Sequence, residues 1–162
     1  MIRNSFRLIL ATSLLAITPL VATAQSPAVP IVAAMSSDAQ EAAKAVDAFH
    51  AALAKGDGMA AAALLADDAL IYESGYVEHS KAEYASHHAG ADAAYAAAVP
   101  SKLTNRSGVA DGALAWIASE SRTTGKYKDK PVDRVTTETM ILRRTADGWR
   151  IVHIHWSSRA AA

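Results

Sequence analysis

The sequence predicts one α+β domain, and three observations carry the prediction. Apolar residues recur at helical spacing between about residues 37 and 100. From Ser101 the pattern switches to period two and runs to Ser158, punctuated by turn-forming Gly125 to Lys130 and Ala146-Asp147-Gly148. Helices grouped ahead of an antiparallel meander indicate segregated layers, not alternating βαβ units. At 162 residues the chain can bury one compact core but not two.

Residues 1–24 read as a secretory signal. Arg3 and Arg7 supply the positive start, Leu8 to Ile17 the apolar run, and Ala22-Thr23-Ala24 the small-x-small cleavage pattern before Gln25. Thr12, Ser13 and Pro19 interrupt the apolar run, which falls short of the ~20 residues that span a bilayer. The expectation is cleavage, a periplasmic or secreted product, and no membrane attachment afterwards. Pro27 and Pro30 mark residues 25–36 as a flexible tether, leaving residues 37–159 as the domain.

Within that domain, Ser37 is the predicted cap of a helix reaching about Lys55, ended by Gly56-Asp57-Gly58. Its apolar stripe is Ala42, Val46, Phe49 and Leu53. A short helix from Met59 to Leu65 closes at Asp67-Asp68. Leu70 to Glu73 is β-like, and Ser74-Gly75 turns the chain. Ser80-x-x-Glu83 fits a capping box opening a third helix, which Pro100 limits. Tyr84, His88, Ala91 and Tyr95 share one face of it. Strands follow over Ala113 to Thr124, Val132 to Arg144 and Trp149 to Ser158.

Composition excludes several classes. Lys+Arg and Asp+Glu both total 16, so no sequence-wide field draws the chain to nucleic acid or anionic lipid. Lys126, Lys128 and Lys130, alternating with Tyr127 and Asp129, read as a solvated hairpin tip. No nucleic-acid partner is expected. Cysteine is absent, which excludes disulfides, thiolate metal sites and a cysteine nucleophile. G-x-S-x-G, a phosphate-cradling glycine loop and a dinucleotide fingerprint are absent too.

The segment FHAALAKGDGMAAAALLADDALIYE, from Phe49 to Glu73, resembles the opening of nuclear transport factor 2-like domains. That superfamily includes steroid delta-isomerases and SnoaL-like polyketide cyclases. The ending DGWRIVHIHWS resembles its last strand and that of the kinase association domains within it. The resemblance spans about Asp38 to Ser158. It implies a cystatin-like cone, a curved antiparallel sheet wrapped around a long helix, with a conical pocket and frequent homodimers. Matching the Ala-Asp-Asp-Ala phrases places the isomerase's catalytic carboxylate on Glu73 and its oxyanion-hole tyrosine on Phe49. Its second oxyanion acid falls near Glu138. Phenylalanine has no hydroxyl to donate, and losing one such donor costs about 10²–10³ in rate. The isomerase set is therefore incomplete.

Strand parity separates Val152, Ile154 and Trp156 from Ile151, His153 and His155, and Glu138, Met140 and Leu142 from Val135, Thr139 and Ile141. By the resemblance, Trp156, Met140 and Glu138 look into the cone, and Trp116 is placed with them. Phe49, Tyr84, His88, Trp116, Met140 and Trp156 are then the expected pocket residues. The opposite faces, with His153 and His155, suit a sheet-to-sheet dimer contact.

Glu73 and Glu138 are the candidate catalytic residues. Glu73 ends a strand where the cone opens and serves as a base if an apolar pocket raises its pKa; otherwise it is a solvated turn carboxylate. Glu138, inside a strand, must be protonated, paired or metal-bound, with Arg122 or Arg134 as candidate partners. Glu78, His79, Glu83, His87 and His88 form a candidate transition-metal set for zinc or copper, the alternative being hydrogen-bonded helix histidines. Three functions stay open. The first is an exported domain binding a small, mostly apolar molecule without a cofactor, with Glu73 as base in an isomerase, cyclase or dehydratase. The second is a periplasmic metal-binding protein, and the third a non-catalytic dimerisation or partner-binding module.

Overall fold

The computed structural model describes residues 35–161. The expected signal peptide and nearly all of the expected tether lie outside the described residues. Helix α1 (Ser37–Ala54) is capped by Ser36, whose Oγ accepts from the Ala39 amide at 3.3 Å. The cap is one residue earlier than expected, which sets Asp38 in the first turn at the positive end of the helix dipole. Helix α2 (Gly58–Ala62) is capped by Asp57 and is shorter than expected, because Leu65 already opens strand β1.

The single helix expected after Ser80 is two. α3 (Lys81–His87) keeps the predicted cap, Ser80 accepting from the Glu83 amide at 3.1 Å. The chain bends at His88 (φ −114°, ψ −38°) and resumes as α4 (Ala89–Ala98). Gly90 weakens helix continuity at this point, and the His88 ring is engaged by Glu78. None of the described helices is long and apolar enough to cross a membrane.

Six strands form one curved, unclosed sheet: β1 (Leu65–Glu73), β2 (Tyr76–Glu78), β3 (Ser101–Asp111), β4 (Leu114–Tyr127), β5 (Lys130–Thr145) and β6 (Gly148–Ala160), in the order β2-β1-β6-β5-β4-β3. Neighbours are antiparallel except β1, which lies parallel to β6. The three late strands are present and longer than expected. β3 joins them as an edge strand, largely exposed on both faces, and so lacks the apolar alternation that marks the others. Ser74 and Gly75, both at positive φ, form the two-residue hairpin that ends β1 at Glu73.

Helix α1 packs on the concave face. Val46, Phe49 and Leu53 meet Ile71, Ile117, Met140, Leu142, Ile151 and Ile154 in one core. A bulge decides which β6 residues reach it. Ile141 pairs with His153 but Leu142 pairs with Ile151, so Val152 is an extra residue. Ile151 therefore joins Ile154 and Trp156 on the concave side, against simple parity. Trp116 is a second correction. It pairs with Ile141, on the convex face, and is 42% exposed instead of lining the cone. His153 and His155 are on the convex face too.

Gly58 opens α2 directly beneath the start of α4. A Cβ there would sit 2.4 Å from the Ala89 carbonyl oxygen. Alanine gains up to about 1 kcal/mol of helix propensity over glycine, but overpacking against backbone costs roughly 1–3 kcal/mol. The steric effect wins. Gly58→Ala is expected to lower the thermal unfolding midpoint, whereas Gly90→Ala, which meets nothing within 4 Å, is expected to raise it.

Candidate functional site

The C-terminal half of α1, helix α4 and the concave face of β3 to β6 enclose a cavity of about 760 Å³. That is the size of a small-molecule site. Pairing register lays its sheet wall out in rows. The deepest row runs across five strands through Arg106, Ser119, Glu138, Trp156 and Glu73, each paired with the next. The next row toward the mouth is Leu103, Ser121, Thr136 and Ser158; the outermost includes Ser101, Thr123 and Arg134. Glu73 and Glu138 flank Trp156, two strand spacings or about 10 Å apart at Cα.

Glu138 is 6% exposed. Its Oε2 accepts from His50 Nε2 at 2.7 Å and from the Trp156 indole N–H at 2.8 Å. Burial alone would raise its pKa, but His50, Trp156 and the nearby Arg106 outweigh burial and hold it below the usual value of 4.5. It is an ionised acceptor. This differs from both expectations: its partners are neither Arg122, which pairs with Asp133 at 2.8 Å, nor Arg134. An ionised acceptor also cannot serve as the protonated oxyanion acid that the resemblance implies. Its second oxygen, Oε1, is buried on the cavity wall with no partner.

Glu73 has the opposite surroundings. Burial first, then the charge of Asp92, raises its pKa above 4.5, only partly offset by His88. Burial likewise raises Asp92, against the Tyr84 hydroxyl that donates to it at 2.9 Å. Burial and Asp92 push the Tyr84 phenol well above its ordinary range, so it remains a donor. Glu73 and Asp92 thus form two coupled carboxylates on one side of the cavity, both biased toward holding a proton. Arg106 is fixed on the far wall by Asp47 at 2.5 Å and by Ser119 Oγ at 3.2 Å.

Of the expected pocket residues, Trp156 lines the cavity together with Glu73 and Glu138. Phe49, Tyr84 and Met140 are fully buried behind the wall. The Phe49 ring packs 6.1 Å from Trp156 and 6.3 Å from Tyr84. His88 sits in a smaller niche behind Glu73 with Tyr76 and Glu78. Part of the candidate metal set is engaged with itself. Glu78 contacts His88 and lies 3.4 Å from His87 Nδ1, while Glu83 accepts at 2.6 Å from the amide of His79, the residue before the Ser80 cap. Among the described residues no group of three or more His, Asp or Glu side chains is placed to hold an ion. Sequence reasoning missed His50, Asp92 and Arg106. Asp92 was legible as lying two helical repeats beyond Tyr84; His50 was not, since its partner is 88 positions away.

A cone of curved sheet around a helix, with acids on its inner wall, defines a nuclear transport factor 2-like domain. The family model described as SnoaL-like domain matches residues 42–161, and the chain belongs to that family. Among solved structures, a candidate ketosteroid isomerase from Shewanella frigidimarina NCIMB 400 is 39% identical, with a TM-score of 0.71, covering 76% of this chain and 100% of its own. A candidate dehydratase from Streptomyces avermitilis is 22% identical (TM-score 0.63; 76% of this chain, 97% of its own). The S. rosetta CaMKII hub is 18% identical (TM-score 0.62; 76% and 98%). These last two share the fold. A comparison with curated proteins finds no match.

The two acids have opposite linkage to stability. Glu73, raised in the folded state, loses stability as pH climbs from 4.5 through its folded pKa. Glu138, lowered, contributes stability above 4.5 that is lost as pH falls through its folded pKa. Glu73→Gln is therefore expected to raise the unfolding midpoint at neutral pH, with the gain vanishing below pH 4.5. Glu138→Gln is expected to destabilise the fold at neutral pH by roughly 1–3 kcal/mol and so lower the midpoint. Calorimetric scans across acid and neutral pH check both signs.

Proposed function

We propose that this domain binds a small carbonyl compound in its cavity and moves a proton on it, with Glu73 as general base. The observation that supports the reading best is the half-buried Glu73 on the cavity wall beside Asp92, where burial first and the Asp92 charge second raise its basicity. The 39% identity to a candidate ketosteroid isomerase supports the same class of chemistry.

The ligand lies over Trp156, between Glu73 on one side and His50 on the other. Glu73 takes the proton from the carbon α to the carbonyl. The C–H electrons move into the carbonyl, forming an enolate. His50 supplies the hydrogen bond to that oxygen which Phe49 cannot. With Nε2 turned to Glu138, its Nδ1 is the nitrogen left to donate to the ligand. Glu73 then returns its proton at the γ carbon, giving the conjugated isomer. If a hydroxyl stands on the β carbon instead, the enolate electrons form the Cα=Cβ bond and expel it, and His50 protonates it as it leaves, which is a dehydration.

We also propose that the domain works after export, cleaved before Gln25, in the periplasm or outside the cell; the supporting observation is the sequence pattern of residues 1–24. Its convex face carries a row of Val109, Trp116, Ile141 and His153 across four strands. Three of these are exposed apolar side chains, which favours a second copy covering them as a homodimer. Trp116→Lys should convert the sedimenting species to a monomer.

A β,γ-unsaturated cyclic ketone tests the chemistry, its conjugated product followed by absorbance. Glu73→Gln is expected to lower kcat by about 10²–10⁴ without lowering the unfolding midpoint. His50→Gln is expected to cost about 10²–10³. Turnover unchanged in Glu73→Gln sinks the assignment.

A further inference from the structure

The cavity-lining arginines differ in one respect. Arg106 is neutralised by Asp47, and elsewhere Arg122, Arg143 and Arg144 pair with Asp133, Asp68 and Asp38. Among the described residues, Arg134 has no carboxylate partner, although it lines the cavity. Nor is it a loose surface side chain. Its Nε donates to Ser158 Oγ at 3.0 Å, and its Nη2 donates to the same oxygen at 2.8 Å and to the Ser158 carbonyl at 3.2 Å. Nη1 is left over.

Register shows where this fork points. Arg134 itself pairs with Ala160, in the outermost row, but Ser158 belongs to the middle row opposite Thr136. The Ser158 bonds therefore draw the guanidinium inward along the sheet, beside Ser121, Thr136 and Ser158. A guanidinium held this way is oriented by its Nε and Nη2 bonds, and Nη1 is left to donate to a ligand. One row, about 7 Å along the strand, separates it from Trp156, Glu73 and Glu138.

We propose that Arg134 is the anchor for a carboxylate group of the ligand, so that the domain takes small carboxylic acids whose reacting carbon lies about 7 Å, roughly five bonds, from the carboxylate. The inference rests on the preceding reading of the deep row as the reacting end. The acids of the deep row stand apart from this anchor: Glu138 is compensated by His50 and Trp156, and Glu73 lies one row deeper on β1, the strand beyond β6. Hydroxyls of the middle row span the interval between anchor and floor, and the flat Trp156 indole receives an unsaturated or aromatic end.

Binding of phenylbutyrate and its neutral amide, phenylbutanamide, separates this from a site that reads only shape. Titrations of the full-length mature protein follow tryptophan fluorescence or calorimetric heat. The acid is expected to bind about tenfold or more tightly than the amide. Arg134→Gln is expected to erase that preference while leaving amide affinity in place. Ser158→Ala, which keeps the charge but releases the fork, is expected to reduce it. Glu73→Gln is expected to retain it, so the anchor is read in a protein that cannot move the proton. Equal binding of acid and amide to the unaltered protein overturns the proposal. So does a preference that survives Arg134→Gln, or no saturable binding of phenylbutyrate or its shorter and longer homologues. Loss of turnover in Glu73→Gln with no acid preference would leave the proton-transfer reading standing and sink the anchor alone.

Discussion

An ionised carboxylate inside a sheet face is expensive unless it is hydrogen-bonded, and Glu138 is the point at which this chain meets that cost. Two elements meet it jointly. His50 reaches down from α1 and Trp156 reaches across from β6, both onto the same oxygen. These bonds tie the helix to the sheet at the line where the apolar core ends. Below it lie Met140, Leu142 and Ile154, all fully buried. Above it the sheet diverges from α1 and the cavity opens. The second oxygen is buried without a partner, and Glu138 stands on the cavity wall, so the residue that closes the core also borders the site.

Two glutamates on one row of one sheet thus take different roles, and environment assigns them. Glu138 is surrounded by donors and stays charged. Glu73 is partly buried, with the charge of Asp92 nearby, so its proton is held more tightly. A base that must work near neutral pH needs the second environment; a group that orients an imidazole needs the first. The hairpin at Ser74-Gly75 sets Glu73 at the end of its strand, where Asp92 from α4 can approach it. The bend at His88 contributes by redirecting α4 so that Asp92 and Tyr95 face the cavity while Tyr84 remains in the core.

The α+β class and the parity of β5 were legible because they follow from residue type and local spacing. So was the turn after Glu73, from Ser-Gly at the end of a β-like segment, although the short strand Tyr76–Glu78 beyond it was not. Where the reading failed, the missing information was not local. A one-residue bulge at Val152 reverses the face assignment of Ile151, and no residue type announces it. Trp116 looked like a pocket wall because aromatic residues usually bury, yet its face is fixed by pairing with Ile141, not by its hydrophobicity. The histidine-rich stretch looked like a ligand set because metal-binding residue types cluster there in sequence. Folding gives Glu83 to the His79 amide and Glu78 to the two histidines instead.

The row arrangement gives one further constraint on what the cavity can hold. Moving from floor to mouth along β5, the concave face reads Met140, Glu138, Thr136 and Arg134. Met140 is fully buried in the core, so the cavity meets a compensated acid, a hydroxyl and an unpaired cation, at intervals of about 7 Å. A ligand that is apolar throughout leaves Arg134 and the hydroxyls unpaired, and a fully polar one finds no partner over Trp156. The gradient selects a molecule with two unlike ends. Orientation follows from the same gradient, because reversing such a ligand would set its charged group among Glu73, Asp92 and Glu138 and its apolar end against the guanidinium. On the proposed reading, specificity in this cone comes less from its volume, which the fold supplies, than from the order of Glu138, Thr136 and Arg134 along one strand.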